Sequence, residues 1–275
     1  MRTLADQLNT RVLGSGTIPV MFAHGFGCDQ MVWKDIVPAF ENEAKTIVFD
    51  QAGSGKADPL IYDRQRHSSL HGYADDLIAL LDELDPGQVH FVGHSVSAMI
   101  GALASLRRPD LFASLIMICP SAFYLNTASY KGGFDKKMLE ELIELMDSNY
   151  IGWAKVFAPL VVGNQSSPEH VEKFVETLCR TDPEYAGGFA RITFFSDCRD
   201  ELTKVQIPTV ILQCLDDPVA PDEAIRFVHD AVKGSELVQL NASGHCPHIT
   251  HPQTTITALR RILKNNFGLR MTDVV

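Results

Sequence analysis

No apolar run in the 275 residues reaches the roughly 18–20 positions that a membrane-spanning helix needs. The first residues, Met1-Arg2-Thr3-Leu4-Ala5-Asp6-Gln7, hold no hydrophobic signal region. Basic clusters are absent, as are basic stripes interleaved with aromatics. Lysine and arginine number 24 against 34 aspartates and glutamates, a net charge of −10. A surplus of that sign is repelled by nucleic acid and by anionic membrane surfaces. Neither is expected as a partner, and the expected compartment is the cytoplasm. The six cysteines stand apart at positions 28, 119, 179, 198, 214 and 246 with no C-x-x-C spacing, so they read as small buried residues rather than a disulfide framework. Repeats, low-complexity tracts and coiled-coil patterns are missing too, and a monomer is expected.

Against these absences one local pattern stands out. Gly93-His94-Ser95-Val96-Ser97 follows the apolar run Val89-His90-Phe91-Val92 and precedes the helical stretch Ala98–Arg107. A strand, a sharp turn and a helix with serine at the tip form a nucleophile elbow, which exposes the hydroxyl and leaves the next backbone N–H free to stabilise an oxyanion. The usual pattern is G-x-S-x-G. Ser97 replaces its last glycine, keeping a small residue where helix and strand pack closely.

A serine nucleophile needs a histidine base and an orienting carboxylate, which follow in the order Ser, Asp or Glu, His in this kind of fold. Thr209–Cys214 reads as a buried strand, followed by Leu215-Asp216-Asp217-Pro218, and open α/β sheets place their sites at strand carboxyl ends. Asp217, deeper in the loop, is chosen as the acid. Asp216 is expected to make local turn hydrogen bonds. After the short strand Glu236–Leu240, the loop Asn241-Ala242-Ser243-Gly244-His245-Cys246-Pro247-His248 offers His245 as the base. His248 and His251 repeat at three-residue intervals, but Pro247 and Pro252 interrupt any helix that would align them, and no H-E-x-x-H stands nearby. No metal is expected. His24-Gly25-Phe26-Gly27 follows the strand Val20–Ala23, and the backbone N–H groups of Phe26 and Val96 are assigned as oxyanion donors.

Strand-like runs at Val20–Ala23, Lys45–Asp50, Val89–Val92, Leu115–Cys119, Thr209–Cys214 and Glu236–Leu240 alternate with amphipathic stretches. Leu70–Leu81 is one of these, with Tyr73, Leu77, Leu80 and Leu81 on one face. This βα alternation implies a mostly parallel sheet flanked by helices. Gly53-Ser54-Gly55-Lys56 lacks the phosphate-loop spacing and reads as a turn beside the site. Between about 121 and 200 the alternation breaks. Lys136–Met146, Tyr150–Val161, Pro168–Arg180 and Pro183–Phe195 read as four helices, two opening on proline as first turns often do. The expected organisation is a core over residues 1–120, a four-helix lid over 121–200 and the rest of the core over 201–275, with 265–275 a frayed tail.

The order and context of these pieces resemble the α/β-hydrolase family and, within it, the RsbQ-type branch, which holds the bacterial stress-signalling hydrolase RsbQ and the plant strigolactone and karrikin receptors. The motifs carrying the likeness are His24-Gly25-Phe26-Gly27-Cys28-Asp29-Gln30, Gly93 to Gly101, Arg108-Pro109-Asp110-Leu111-Phe112, Gly132-Gly133-Phe134, Phe157-Ala158-Pro159-Leu160 and Gly244-His245-Cys246-Pro247-His248. Together they span about residues 8 to 266. Ser97 is similar to the plant receptors, whereas the Cys246 loop and Thr193-Phe194-Phe195-Ser196-Asp197 look more like the bacterial member.

The resemblance implies a four-helix cap over a deep pocket lined by Phe26, His94, Tyr124, Trp153, Phe157, Phe194 and Val219, with no cofactor. No arginine or lysine falls at these positions to anchor an anion, so a neutral, apolar ester or lactone, butenolide-like, is the expected ligand. The expected activity is serine hydrolysis by Ser95, His245 and Asp217. A signalling role through a protein partner with slow or single-turnover hydrolysis, and carbon–carbon bond hydrolysis or perhydrolysis, stand as alternatives.

Overall fold

The computed structural model describes residues 2–163 and 167–269. Seven strands form its sheet: β1 (Arg11–Leu13), β2 (Ile18–Ala23), β3 (Ala44–Phe49), β4 (Val89–His94), β5 (Phe112–Ile118), β6 (Thr209–Asp216) and β7 (Glu236–Ser243). They lie in the order β1-β3-β2-β4-β5-β6-β7. β1 runs antiparallel to β3 and every other neighbouring pair is parallel. β2, β4 and β5 are almost wholly buried, as expected of strands covered on both faces. Pro19 is tolerated in β2 because β4 pairs with this strand only from Val20 onward, so no ladder bond is lost on that side.

The helices are α1 (Leu4–Gln7), α2 (Leu70–Leu84), α3 (Val96–Arg107), α4 (Lys136–Ser148), α5 (Tyr150–Val162), α6 (Pro168–Cys179), α7 (Pro183–Phe195), α8 (Arg199–Leu202), α9 (Asp222–Ala231), α10 (Pro247–Thr250) and α11 (Pro252–Asn265). In α2 the residues Tyr73, Leu77, Leu80 and Leu81 are all buried, the face that their spacing requires.

Helices α4 to α7 lie between β5 and β6, inside the expected 121–200 insertion. Their starts are written locally. The Asn149 side chain accepts from Gly152 N–H, Ser167 from His170 N–H and Asp182 from Glu184 N–H, each quenching a donor that a first helical turn leaves free. Pro168 and Pro183 occupy first-turn positions where no N–H is needed. The frayed tail expected over 265–275 is corrected at its start: α11 reaches Asn265 and Leu269 is buried. The remainder of that stretch lies outside the described residues.

The strand order turns back between β2 and β4, since β3 lies on one side of β2 and β4 on the other. The loops leaving the carboxyl ends of these two neighbours therefore diverge and leave a crevice, the place where open α/β sheets put their ligands. His24 to Gly27 leaves one end and Ser95 the other.

Candidate active site

Ser95 sits between β4 and α3 with φ 55° and ψ −123°, a conformation that L-residues avoid and that the flanking strand and helix must hold. Its Oγ is 2.8 Å from His245 Nε2, and His245 Nδ1 is 2.8 Å from Asp217 Oδ2. All three residues are buried. A carboxylate only accepts, so Nδ1 carries the proton and Nε2 is left as the acceptor for the serine hydroxyl. The Tyr124 hydroxyl, 3.0 Å from Oγ, must then donate to the serine oxygen. Burial pushes the Tyr124 phenol up from its ordinary pKa, which keeps that proton in place.

Asp217 also settles the choice between the two aspartates. Its Oδ1 accepts from the Val219 and Ala220 N–H groups at 2.9 and 3.0 Å, which fixes the carboxylate and turns Oδ2 to His245. The turn bonds expected of Asp216 are thus made by Asp217. Asp216 closes β6 with its side chain exposed, and its carbonyl accepts from Gly244 N–H.

The loop after β2 comes close to the elbow because of Gly25. A Cβ there would stand 2.6 Å from His94 Nδ1 and 3.3 Å from Ser95 Cβ, so any larger residue would push the Phe26 amide away from the serine. Val96 opens α3, and its N–H is among those that a helix's first turn leaves without an intrahelical acceptor. Ser97, in the glycine position of the usual elbow, donates to the His24 carbonyl and accepts from Gln51 Nε2 at 3.1 Å. It ties the elbow to the ends of β2 and β3.

His245 is held from two sides. His245 N–H donates to the Val161 carbonyl of α5 at 2.8 Å. The His245 carbonyl accepts from His94 Nε2, also at 2.8 Å. Behind His94 lies His248, ring centroids 4.4 Å apart, and His248 stacks on Trp33 at 4.5 Å. Burial, with the neighbouring imidazoles His245 and His24, pulls the His248 pKa down to about 3. Burial first, then His248 and His245, pulls His94 well below its ordinary value. Both rings are neutral at physiological pH, so they support the base without adding charge beside it.

His245, His248 and His251 do not converge as ligands, since His248 faces Trp33 and His94 while His251 Nδ1 meets Thr250 Oγ1. The one set of possible metal donors among the described residues is Cys119, Asp217 and His245. There the carboxylate and imidazole already bond to each other, and the contact with Cys214, followed by burial, raises the Cys119 thiol pKa. That suits a protonated core thiol rather than a metal ligand. Five of the six cysteines are buried and all are free. The Gly53 to Lys56 segment is a turn after β3 whose Lys56 N–H donates to Asp50 Oδ2.

A cavity lies over the serine, lined by Phe26, His94, Ser95, Phe157, Val161, Phe174, Thr193, Phe194, Val219, His245 and Cys246. Five of the seven residues expected to line the pocket, Phe26, His94, Phe157, Phe194 and Val219, are in this wall. Trp153 stands one layer back, stacked on Phe157 at 5.0 Å, and Tyr124 is not in the wall but meets Ser95 Oγ with its hydroxyl. Val161, Phe174, Thr193 and Cys246 were missed as wall residues. The first three sit on helices, where sequence cannot separate a residue that packs from one that borders a cavity. The space open to the centre of a water molecule is about 20 Å³, enough for one or two waters. Ligand pockets usually measure about 300–1,000 Å³, so the cavity as it stands is too small for an ester.

A family model described as the alpha/beta hydrolase fold matches residues 18–252. A Karrikin insensitive 2 receptor (CA) of Petunia hybrida is 39% identical, over 98% of this chain and 100% of its own. Strigolactone esterase D14 of Arabidopsis thaliana is 37% identical, over 94% and 97%. Among solved structures, the hydrolase olei00960 from Oleispira antarctica superposes with a TM-score of 0.93 at 40% identity, covering 96% of this chain and 97% of that one.

Proposed function

The chain belongs to the α/β hydrolase fold family, in the branch of the karrikin and strigolactone receptor hydrolases, and from that premise we propose that it is a serine esterase for a small, neutral, apolar ester or lactone of butenolide type. The observation that carries the reading is the unbroken relay of two 2.8 Å contacts from Ser95 through His245 to Asp217, buried beneath a wall of phenylalanines.

In the proposed reaction, His245 Nε2 takes the proton from Ser95 Oγ as the oxygen attacks the carbonyl carbon. The Phe26 and Val96 N–H groups receive the oxyanion, and Asp217 holds the imidazolium in place. His245 then gives the proton to the departing alkoxide, and water, activated by the same nitrogen, releases the acyl group. Among the described residues, the cavity wall has no lysine or arginine, so nothing described there favours an anionic acyl group.

A second reading has the chain as a sensor that hydrolyses its ligand slowly, retains a fragment and signals to a protein partner. It is supported by the small cavity and by the receptor in whose likeness the chain is built. One experiment addresses both: a neutral chromogenic butenolide at enzyme-comparable concentration, with intact mass spectrometry. Repeated turnover without a lasting adduct supports the esterase, and a single burst with a fragment on Ser95 or His245 supports the sensor. Ser95→Ala should lower turnover by at least about 10⁴-fold with the fold intact. Turnover near that of the parent would overturn both readings.

A further inference from the structure

Something must open before a substrate can reach Ser95. The four phenylalanines of the cavity wall are not held equally. Phe26 meets Trp153, Phe157, Phe189 and Phe194 edge-on, at centroid distances of 5.7–6.3 Å. Phe157 also stacks on Trp153, and Phe194 meets Tyr124 and Phe134. Moving any of these three breaks several ring contacts. Phe174 of α6 is buried and lines the cavity, yet among the described residues it pairs with no aromatic ring.

Phe174 has a second position in the molecule. It also lines a groove of about 430 Å³ beside α6, whose lining mixes the apolar Val32, Ile249 and Pro252 with exposed side chains of both charges, Lys173 and Glu176 among them. Among the described residues, no other borders both spaces. A larger groove beside α4 and α7, about 570 Å³ with Ile143 and Phe195 in its wall, shares no lining residue with the cavity. Phe174 therefore lies between the Ser95 cavity and a groove large enough for part of a ligand.

Resting on the esterase reading, we propose that Phe174 is a specificity-determining residue: its ring is the partition between the serine cavity and the α6 groove, and its displacement lets the leaving group of an elongated ester lie in that groove. The small acyl part stays among Phe26, Phe157 and Phe194. The leaving alcohol passes Phe174 and crosses the apolar side of the groove to its charged edge, so beside the small esters of the esterase reading the site admits neutral esters with a compact acyl group and a longer alcohol ending in a hydroxyl.

The test uses chromogenic aryl acetates whose leaving phenol carries no chain, a medium chain or a long chain ending in a hydroxyl, and it reads the long-to-short ratio of kcat/KM. Phe174→Ala should raise that ratio by about tenfold or more, and Phe174→Trp should lower it. Phe174→Leu should give an intermediate rise, and this milder change keeps the test open if the alanine variant folds poorly. Thr177→Trp, which fills the groove, should cancel the gain in the Phe174→Ala background. In a Ser95→Ala background, binding of the same esters followed by Trp153 fluorescence should show the same dependence on chain length without any turnover. A ratio unchanged across the Phe174 variants in both assays overturns the partition, as does a gain that follows Ile143→Ala instead. If Ser95→Ala hydrolyses like the parent, the serine mechanism fails while the binding series still decides the partition.

Discussion

The sheet core and the helical insertion are secured by different contacts. In the core, Arg260 Nη2 bridges both carboxylate oxygens of Glu43 at 2.8–2.9 Å, with both side chains nearly buried. His67 and Asp76 pair at 2.8 Å out of solvent. In the insertion the ion pairs are exposed: Lys136–Glu140, Lys137–Glu141 and Lys173–Glu169 run along single helices. Arg180–Asp29 at 3.4 Å and Arg64–Glu184 tie the insertion to the core, each with an exposed arginine. Buried pairs are costly to break, whereas exposed ones contribute little. The insertion's ion pairs are thus ones that water can replace, and what holds it to the core is the packing of its buried rings on Phe26 and Tyr73. The hydrogen bond from His245 N–H to Val161 crosses this divide, so the base is attached to both regions.

Breaking that crossing should have the largest effect. Gly244 has φ +81°, and a Cβ there would run into the Val162 carbonyl oxygen. Gly244→Ala should destabilise the protein by about 3–4 kcal/mol and lower kcat on a neutral ester by about 100-fold, because the base loop and the end of α5 cannot both keep their positions. Urea unfolding and steady-state kinetics measure the two effects. Removing the charge of a half-buried core pair comes next: Glu43→Gln takes the carboxylate from Arg260, which keeps its bond to the Ala39 carbonyl, and should cost about 1–2 kcal/mol by urea unfolding.

The pH dependence of stability sharpens the comparison from the core side. His94 and His248 have folded pKa values below the ordinary 6.5, at about 3 for His248. Unfolding lets both protonate below about pH 6.5, so the unfolded chain binds more protons and stability falls as pH drops from there toward about 3. The slope is about 1.4 kcal/mol per pH unit for each histidine once well below pH 6.5. His248→Phe, which keeps a ring against Trp33, should make the loss between pH 6.5 and 4.5 shallower in chemical unfolding. The smallest effect belongs to the insertion: Glu169→Gln, which cuts an exposed pair with Lys173, should leave the urea midpoint where it was. A clear loss there would mean that the two regions are not fastened differently.

Much of this was legible in the sequence where the chemistry is local. The elbow around Ser95, the glycine-flanked loop at Phe26 and the proline-started helices α6 and α7 are each written within a few residues. Edges and pairings were harder. β1 was missed because Arg11–Leu13 is three residues long and half-exposed, too short to show an alternation of two. β6 and β7 run to Asp216 and Ser243, beyond the apolar stretches that marked them, because the two strands continue to pair past a register shift. Asp216 was expected to make the turn bonds that Asp217 makes, since two adjacent carboxylates in one loop look alike until the strand end fixes which faces inward.

By itself the sequence determined the α/β alternation, the place of the helical insertion and the order Ser95, Asp217, His245, because turn chemistry, apolar periodicity and loop position act over a few residues. Only the tertiary structure decided that Tyr124 donates to Ser95, that His94 and His248 brace His245 against Trp33, and that Phe174 lines both the serine cavity and the α6 groove. Those contacts join residues far apart in the chain, and which side of a packed helix meets a void or a neighbour is set by how the elements fit in three dimensions, a quantity that no one-dimensional pattern carries.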